Sequence, residues 1–123
     1  MNTIQTNSRR DNSSLALGGQ MLEHDVELHP DVDAIFFCND DLSQGGLLAA
    51  LRLGIAVPTQ LAIAGFNDLA GSDQMWPPLT TIRTSRVEIG ESAATMLLQL
   101  MQGEAAQHHS VDVGWQLVRR QST

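Results

Sequence analysis

Blocks of apolar residues, separated by short polar stretches, divide the chain into predicted helices and strands. Apolar positions recur at helical spacing from Leu15 to Leu28, and a short, mainly apolar run follows over residues 33–38. The first pattern predicts an amphipathic helix that ends before Pro30, because proline disfavours helical geometry in the residue ahead of it. The second predicts a strand buried on both faces.

A second helix and a second strand are predicted next. Any of the polar residues 39–41 can cap a helix, leucines recur through residues 47–53, and Gly54 is suited to end it. Gly45 and Gly46 each weaken that helix by about 1 kcal/mol relative to alanine, so we expect close packing to explain them. Residues 61–66 then repeat the pattern of a buried strand.

The strand–helix–strand order fixes where the polar residues after each strand lie. Such a crossover makes the two strands parallel, so their carboxyl ends meet at one edge of the sheet. Asn39 and Asp40 follow the first strand, and Asn67 and Asp68 follow the second. The sequence therefore predicts that both Asn-Asp pairs share one rim.

The remainder of the chain predicts a loop, an extended segment, a long helix and a last strand. The loop covers residues 69–78 and the extended segment residues 79–82; Ser85 is a candidate cap for the helix and Gly103 a candidate end. The apolar residues of this helix are interpreted as core. They include Met96, Leu97, Leu100 and Met101, and the last strand is expected within residues 111–118.

Length and pattern together predict one α/β domain, with a parallel sheet flanked by helices over residues 15–123. Residues 1–14 are polar and lack any period, which predicts a flexible lead-in.

The charge balance argues against direct binding of nucleic acid. Fourteen acidic and seven basic residues give a net charge of -7, the wrong sign for a surface that must neutralise phosphates. The arginine pairs at 9–10 and 119–120 lie near the two ends and are interpreted as solvated tails.

Cysteine, histidine and hydropathy exclude several classes of protein. Cys38 is the single cysteine, so no disulfide framework is possible, and a reducing cytoplasm is expected. No apolar stretch approaches the roughly 20 residues that cross a bilayer, and no secretory leader is visible. The pair His108 and His109 lacks partners at metal-ligand spacing, so no metal or other cofactor is predicted.

The two Asn-Asp pairs are the candidate site. Amide groups donate and accept, carboxylates accept, and this mixture suits the neighbouring hydroxyl groups of a sugar or sugar acid. The alternative is that the pairs merely cap a helix and begin a turn. Paired carboxylates could also serve a hydrolase, but no nucleophile lies nearby in the sequence, so we expect no enzyme.

Four motifs carry a resemblance to a known family. They are DAIFFCNDDL at residues 33–42, GIAVP at 54–58, IAGFND at 63–68 and PLTTI at 78–82. In order and spacing they resemble the lac repressor/galactose repressor family of transcriptional regulators, over residues 14–120. FFCNDDL with AGFND looks most like the gluconate-operon repressors of that family.

The resemblance implies a fold like that of the type I periplasmic sugar-binding proteins, in which two α/β lobes clamp an effector between them. The chain would supply the carboxy-terminal part of this domain, with residues 79–103 belonging to the other lobe in an intact member. Operator DNA would be bound only through a head domain that this sequence lacks, as it also lacks the upstream arginine that usually grips the effector.

The resemblance also implies site and interface residues. Effector contacts carry over to Asn39 and Asn67, with Asp40 and Asp68 beside them, although the family often has Asp at position 67. The expected homodimer would use the surface of Gln44, Leu47 and Leu48 together with the loop at Gln74, Met75 and Trp76.

The function predicted from these observations is binding of a gluconate-like effector and dimerisation within a cytoplasmic regulator. Two alternatives stay open at this point. One is a fragment of a periplasmic sugar-binding protein of the same fold, and the other is a self-associating remnant that binds no ligand.

Overall fold

The computed structural model describes residues 14–104 and 110–123 and confirms the predicted order of elements. Most of the predicted lead-in, together with His108 and His109, lies outside the described residues, and Ser14 caps the first helix instead of belonging to a flexible segment. The elements are α1 (Leu15–Leu28), β1 (Ala34–Phe36), α2 (Asp40–Leu53), β2 (Ala62–Phe66), a short 3-10 helix (Ser72–Gln74), β3 (Thr80–Thr84), α3 (Arg86–Met101) and β4 (Trp115–Val118).

The four strands form one sheet in the order β1-β2-β3-β4. β1, β2 and β3 are parallel, as predicted for the first two: Ile35 pairs with Ile63, and Gly65 pairs with Thr81. β4 runs antiparallel to β3, with Thr84 opposite Trp115, so the sheet is mixed rather than wholly parallel. The last strand therefore starts at the edge where the other three end.

Helices α1 and α2 cross in close contact, and glycines make the contact possible. A Cβ atom at Gly18 of α1 would overlap the backbone carbonyl of Leu42, and one at Gly45 of α2 would overlap that of Leu15. At Gly46, a Cβ would come within 2.8 Å of the Phe37 ring. The expectation that close packing explains the Gly45-Gly46 pair is confirmed.

The core lies between these two helices and one face of the sheet. It consists of Leu22, Phe37, Leu42, Leu47, Ala49, Ala50, Leu61, Ile63 and Leu79. Burial alternates along β2, where Ile63 and Gly65 are buried and their neighbours are half-buried. The prediction of strands buried on both faces is therefore wrong, most clearly at the edge strand β1, where Phe36 is 60% exposed. The physical reason is that described helices pack on only one face of the sheet.

Helix α3 has no buried residue, so the interpretation of its apolar positions as core is wrong. Leu97, Leu100 and Met101 are more than half exposed. Residues 79–84 lie in or beside the sheet, and only from Arg86 onward does the chain leave it. The assignment of the whole range 79–103 to another lobe therefore does not hold for its first residues, and for α3 it stays a prediction. None of the described helices combines the length and the apolar character needed to cross a bilayer.

Candidate functional site

The carboxyl ends of β1, β2 and β3 meet at one edge of the sheet because the three strands are parallel. Asn39 follows β1, Asn67 and Asp68 directly follow β2, and Thr84 ends β3. We call these four residues the strand-end rim. The strand pairing confirms the predicted common edge for Asn39, Asn67 and Asp68.

Asn39 is half-buried and caps α2. Its side-chain oxygen accepts a hydrogen bond from the backbone N–H of Leu42 at 3.0 Å, and its backbone carbonyl accepts one from the Ser43 hydroxyl at 2.9 Å. The cap satisfies one of the four unpaired donors of the first turn. Helix capping is thus a real role of this residue, and ligand contact by Asn39 stays a prediction.

Asn67 has a backbone conformation that residues other than glycine rarely adopt. Its φ of 99° lies in the left-handed region, and the next residue, Asp68, also has a positive φ of 49°. The backbone N–H of Asn67 donates to the carbonyl of Ile82 at 2.8 Å, which continues the parallel pairing of β2 with β3 by one residue. Its half-buried side chain makes no hydrogen bond to any described residue. Strain of this kind concentrates at functional sites.

Asp40 does not face the rim, and its prediction as a ligand contact is wrong. The residue is fully buried, and its carboxylate accepts hydrogen bonds from the Leu69 N–H at 2.8 Å and from the Ser72 and Thr81 hydroxyls at 2.6 Å each. A Cβ on Gly65 would overlap this carboxylate, so glycine at that position lets α2 approach β2. Asp40 therefore holds the loop after β2 against the start of α2.

Asp68 is occupied by two arginines. Its Oδ1 accepts from Nη2 of Arg120 at 2.7 Å, and its Oδ2 lies 2.7 Å from Nε and 2.6 Å from Nη2 of Arg83. Burial raises the pKa of the Asp68 carboxyl, but the hydrogen bonds and charges of Arg120 and Arg83 outweigh burial and hold the pKa below its ordinary value. Both oxygens of Asp68 are thus engaged by arginines, and ligand contact by this carboxylate stays a prediction.

Arg120 corrects the interpretation of the 119–120 pair as a solvated tail. Its guanidinium also donates to the backbone carbonyl of Leu79 at 2.7 Å, and its side chain is only 16% exposed. Ser122 continues this contact: it is fully buried, accepts from Thr80 N–H and donates to the carbonyl of Ile63. Sequence reasoning missed these partners because the pairs are more than 40 residues apart along the chain.

The ion pairs of Asp68 with Arg83 and Arg120 should make the free energy of unfolding depend on pH. A carboxyl whose pKa is lowered in the folded state stabilises the fold above the unfolded pKa, near 3.8, and loses that contribution as pH falls through the lower folded pKa. We therefore expect the free energy of unfolding to fall more steeply on acidification below about pH 4 in the wild type than in Asp68→Asn. Urea unfolding at several pH values measures this. Equal slopes for the two proteins would contradict the pairing.

An open groove of about 680 Å³ adjoins the strand-end rim. Asp68, Arg83 and Thr84 form one side, and the first turns of α3 form the other. The α3 residues that line it are Arg86, Val87, Glu88 and Glu91, preceded by Ser85. Within residues 14–104 and 110–123, no cluster of three His, Cys, Asp or Glu side chains is arranged to hold a metal ion.

The predicted dimer surface divides into buried and exposed residues. Leu47 belongs to the core, and Gln44 is buried, with its amide donating to the Ala70 carbonyl and the Ser72 hydroxyl at 3.1 Å each. These two cannot contact a partner directly, because the protein itself surrounds them. The remaining members of the predicted surface are Leu48, Gln74 and Trp76, which are exposed, and Met75, which is half-buried against the core.

Comparison with known proteins matches this architecture. Residues 2–123 match a family described as a periplasmic binding protein-like domain. The chain is 50% identical over 111 residues to the HTH-type transcriptional regulator GntR of Pseudomonas aeruginosa, covering 90% of this chain and 32% of that protein. It is 40% identical over 105 residues to the HTH-type transcriptional regulator IdnR of Escherichia coli, covering 85% of this chain and 32% of that protein.

Solved structures agree. The transcription regulator GntR from Chromobacterium violaceum superposes with a TM-score of 0.85 at 48% identity, over 91% of this chain and 41% of that one. The lac repressor dimer bound to operator and an anti-inducer superposes with a TM-score of 0.81 at 28% identity, over 89% and 38%. The chain thus spans about a third of the length of the curated relatives it matches. From the family match, the relatives and the fold, we conclude that this chain belongs to the periplasmic binding protein-like domain family and is similar to part of the transcriptional regulators named above.

Proposed function

We propose that the chain forms one side of an effector-binding cleft in a cytoplasmic transcriptional regulator, and that the effector is a sugar or sugar acid. The relatives named above are transcriptional regulators, not enzymes. In the intact regulator, operator DNA would be bound by a helix-turn-helix head, and effector binding would change the affinity for DNA.

The observation that carries the proposal is the amide of Asn67. It lies at the carboxyl ends of parallel strands, the position at which open α/β sheets bind ligands. Its backbone is held at a φ of 99° and its side chain has no hydrogen-bond partner within the described residues. An amide in this state is ready to donate to one hydroxyl of a polyol and accept from another.

Asn39 is proposed as the second contact, because its cap fixes the side chain at the same edge. Asp40 and Asp68 are assigned supporting roles instead. Asp40 anchors the loop that carries Asn67, and Asp68 is engaged by arginines on β3 and on the segment after β4. An effector hydroxyl that contacts Asp68 would share the carboxylate with Arg83 and Arg120, since each carboxylate oxygen can accept more than one hydrogen bond.

We also propose a homodimer that uses the exposed members of the predicted surface. Leu48 is 43% and Trp76 is 78% exposed, and aromatic side chains of this kind dominate protein interfaces. Gln44 would contribute indirectly, because its amide donates to Ala70 and Ser72 and so holds in place the loop that leads to Trp76.

Substitution of Asn67 by glycine should separate folding from binding. Glycine adopts a positive φ without strain, so the free energy of unfolding should change by no more than about 1 kcal/mol. The loss of the amide should weaken binding of gluconate by roughly tenfold or more. Calorimetric titration together with urea unfolding measures both quantities.

A folded Asn67→Gly protein with unchanged affinity would remove Asn67 from the site. Asn67→Ala is the comparison variant, because it also lacks the amide but keeps a Cβ at a positive φ; it should lose affinity as Asn67→Gly does and be less stable than Asn67→Gly.

A further inference from the structure

The groove beside the strand-end rim places an arginine next to the proposed effector site. Arg83 lines this groove together with Asp68, the residue after Asn67. Asn67 does not itself line the groove, but its backbone N–H donates to the carbonyl of Ile82, the residue before Arg83, so a ligand at Asn67 would lie beside Arg83.

The geometry of Arg83 leaves part of its guanidinium available. Nε and Nη2 both contact the single oxygen Oδ2 of Asp68, and no bond from Nη1 is found within the described residues. The side chain is 51% exposed, whereas that of Asp68 is 11% exposed. The arginine is thus held in place on one side and open to solvent on the other.

The carboxylate that holds Arg83 does not cancel its charge toward the groove. Asp68 also pairs with Arg120, so one carboxylate faces two guanidinium groups. Among the residues that line the groove, Arg86 adds a second positive charge, and Glu88 and Glu91 add negative charges to that of Asp68. Neither glutamate lies within ion-pair distance of Arg83 among the described residues.

We infer that Arg83 is the specificity-determining residue that makes this site prefer a polyol carrying a carboxylate over a neutral polyol. The inference rests on the proposed function and deepens it. A guanidinium and a carboxylate form charge-assisted hydrogen bonds that are about twice as strong as neutral ones. Asn67 contributes to the same preference, because an amide at that position does not repel an anion as an aspartate would.

Two probes that differ at one carbon test the inference. D-gluconate and D-glucitol carry the same run of hydroxyl groups, and only gluconate has a carboxylate. Titration of the chain at low ionic strength, followed by shifts of its backbone amide resonances, gives a dissociation constant for each. We expect the wild type to prefer gluconate by about tenfold or more.

Arg83→Gln should abolish the preference for gluconate over glucitol, and Arg83→Lys should restore part of it. Arg52→Gln is the matched control, because Arg52 pairs with Glu23 on the α1–α2 surface and its loss removes the same unit of charge. That variant should keep the wild-type preference.

The outcomes separate the inference from the proposed function. If both polyols bind and Arg83→Gln keeps the wild-type preference, or if the wild type binds both equally, the inference is overturned while the effector site stands. If neither probe shifts any resonance of the folded wild type, the proposed function fails and the inference fails with it.

Discussion

Alanine at position 18 is expected to destabilise the protein severely, whereas alanine at position 19 is expected to leave its stability unchanged or slightly higher. Both glycines lie in α1, where alanine is favoured over glycine by about 1 kcal/mol. At Gly18 the new Cβ would overlap the backbone carbonyl of Leu42, and a backbone atom cannot rotate aside as a side chain can. At Gly19 the nearest atom, the Gly45 carbonyl oxygen, is 3.5 Å away, an ordinary contact.

We expect Gly18→Ala to lower the free energy of unfolding by about 3 kcal/mol or more, because α1 and α2 must move apart and lose packing across the core. Urea unfolding monitored by circular dichroism compares the two variants directly. Equal stabilities for Gly18→Ala and Gly19→Ala would mean that the helices do not cross as closely as described.

The second large effect is expected from Asp40→Ala. Removal of the carboxylate leaves three donors without their acceptor: the buried hydroxyls of Ser72 and Thr81 and the half-buried N–H of Leu69. Each unsatisfied buried group costs about 1 to 3 kcal/mol, so the free energy of unfolding should fall by about 3 kcal/mol or more. The loop that carries Asn67 should loosen at the same time, which hydrogen exchange of the Leu69 amide would reveal.

Asp41→Ala is the matched control for that substitution. Asp41 stands next in the same first turn of α2, so its loss removes the same favourable interaction with the helix dipole, up to about 1 kcal/mol. It is half-buried and makes no hydrogen bond to another described residue. A loss of stability no greater in Asp40→Ala than in Asp41→Ala would contradict the anchoring role of Asp40.

The sequence predicted the elements and their common edge because those features depend on local patterns. Helical spacing, caps and glycine stops located α1 and α2, and the strand–helix–strand order was sufficient to predict parallel pairing. Asn39 was correctly expected as a cap candidate. The glycine pair in α2 also pointed to the helix crossing, since only close packing explains two glycines inside a helix.

Errors arose where a residue's role depends on distant partners. Asp40 and Asn39 are adjacent in the sequence, but the helix start turns the first inward to Thr81 and keeps the second at the edge. In the sequence, Arg120 looks like part of a solvated tail. In the structure, the antiparallel strand β4 returns the chain to the sheet and places Arg120 beside Asp68. The only sequence signal for these contacts was the presence of polar residues such as Thr80, Thr81 and Ser122 in and beside predicted strands. The local pattern could not identify the residues that they contact.

Burial was mispredicted for a related reason. Phe36 in β1 and Leu97 in α3 have the apolar character of core residues, but no described helix covers the outer face of the sheet or packs on α3. The apolar pattern shows which residues are suited to burial, but whether they are buried depends on the neighbours that pack against them. The same limit applied to Leu47, which faces the core and not a partner subunit.

The most direct test of the account is the location of ligand-induced changes on the chain. Backbone amide resonances of the isotope-labelled protein are recorded while gluconate is added to concentrations well above the millimolar range. We predict that the largest shifts fall at the strand-end rim, at Asn39, Asn67 and Asp68, and that they disappear in Asn67→Gly. Shifts concentrated away from these residues, or an unperturbed spectrum from the folded protein, would contradict the claim that this edge of the sheet binds the effector.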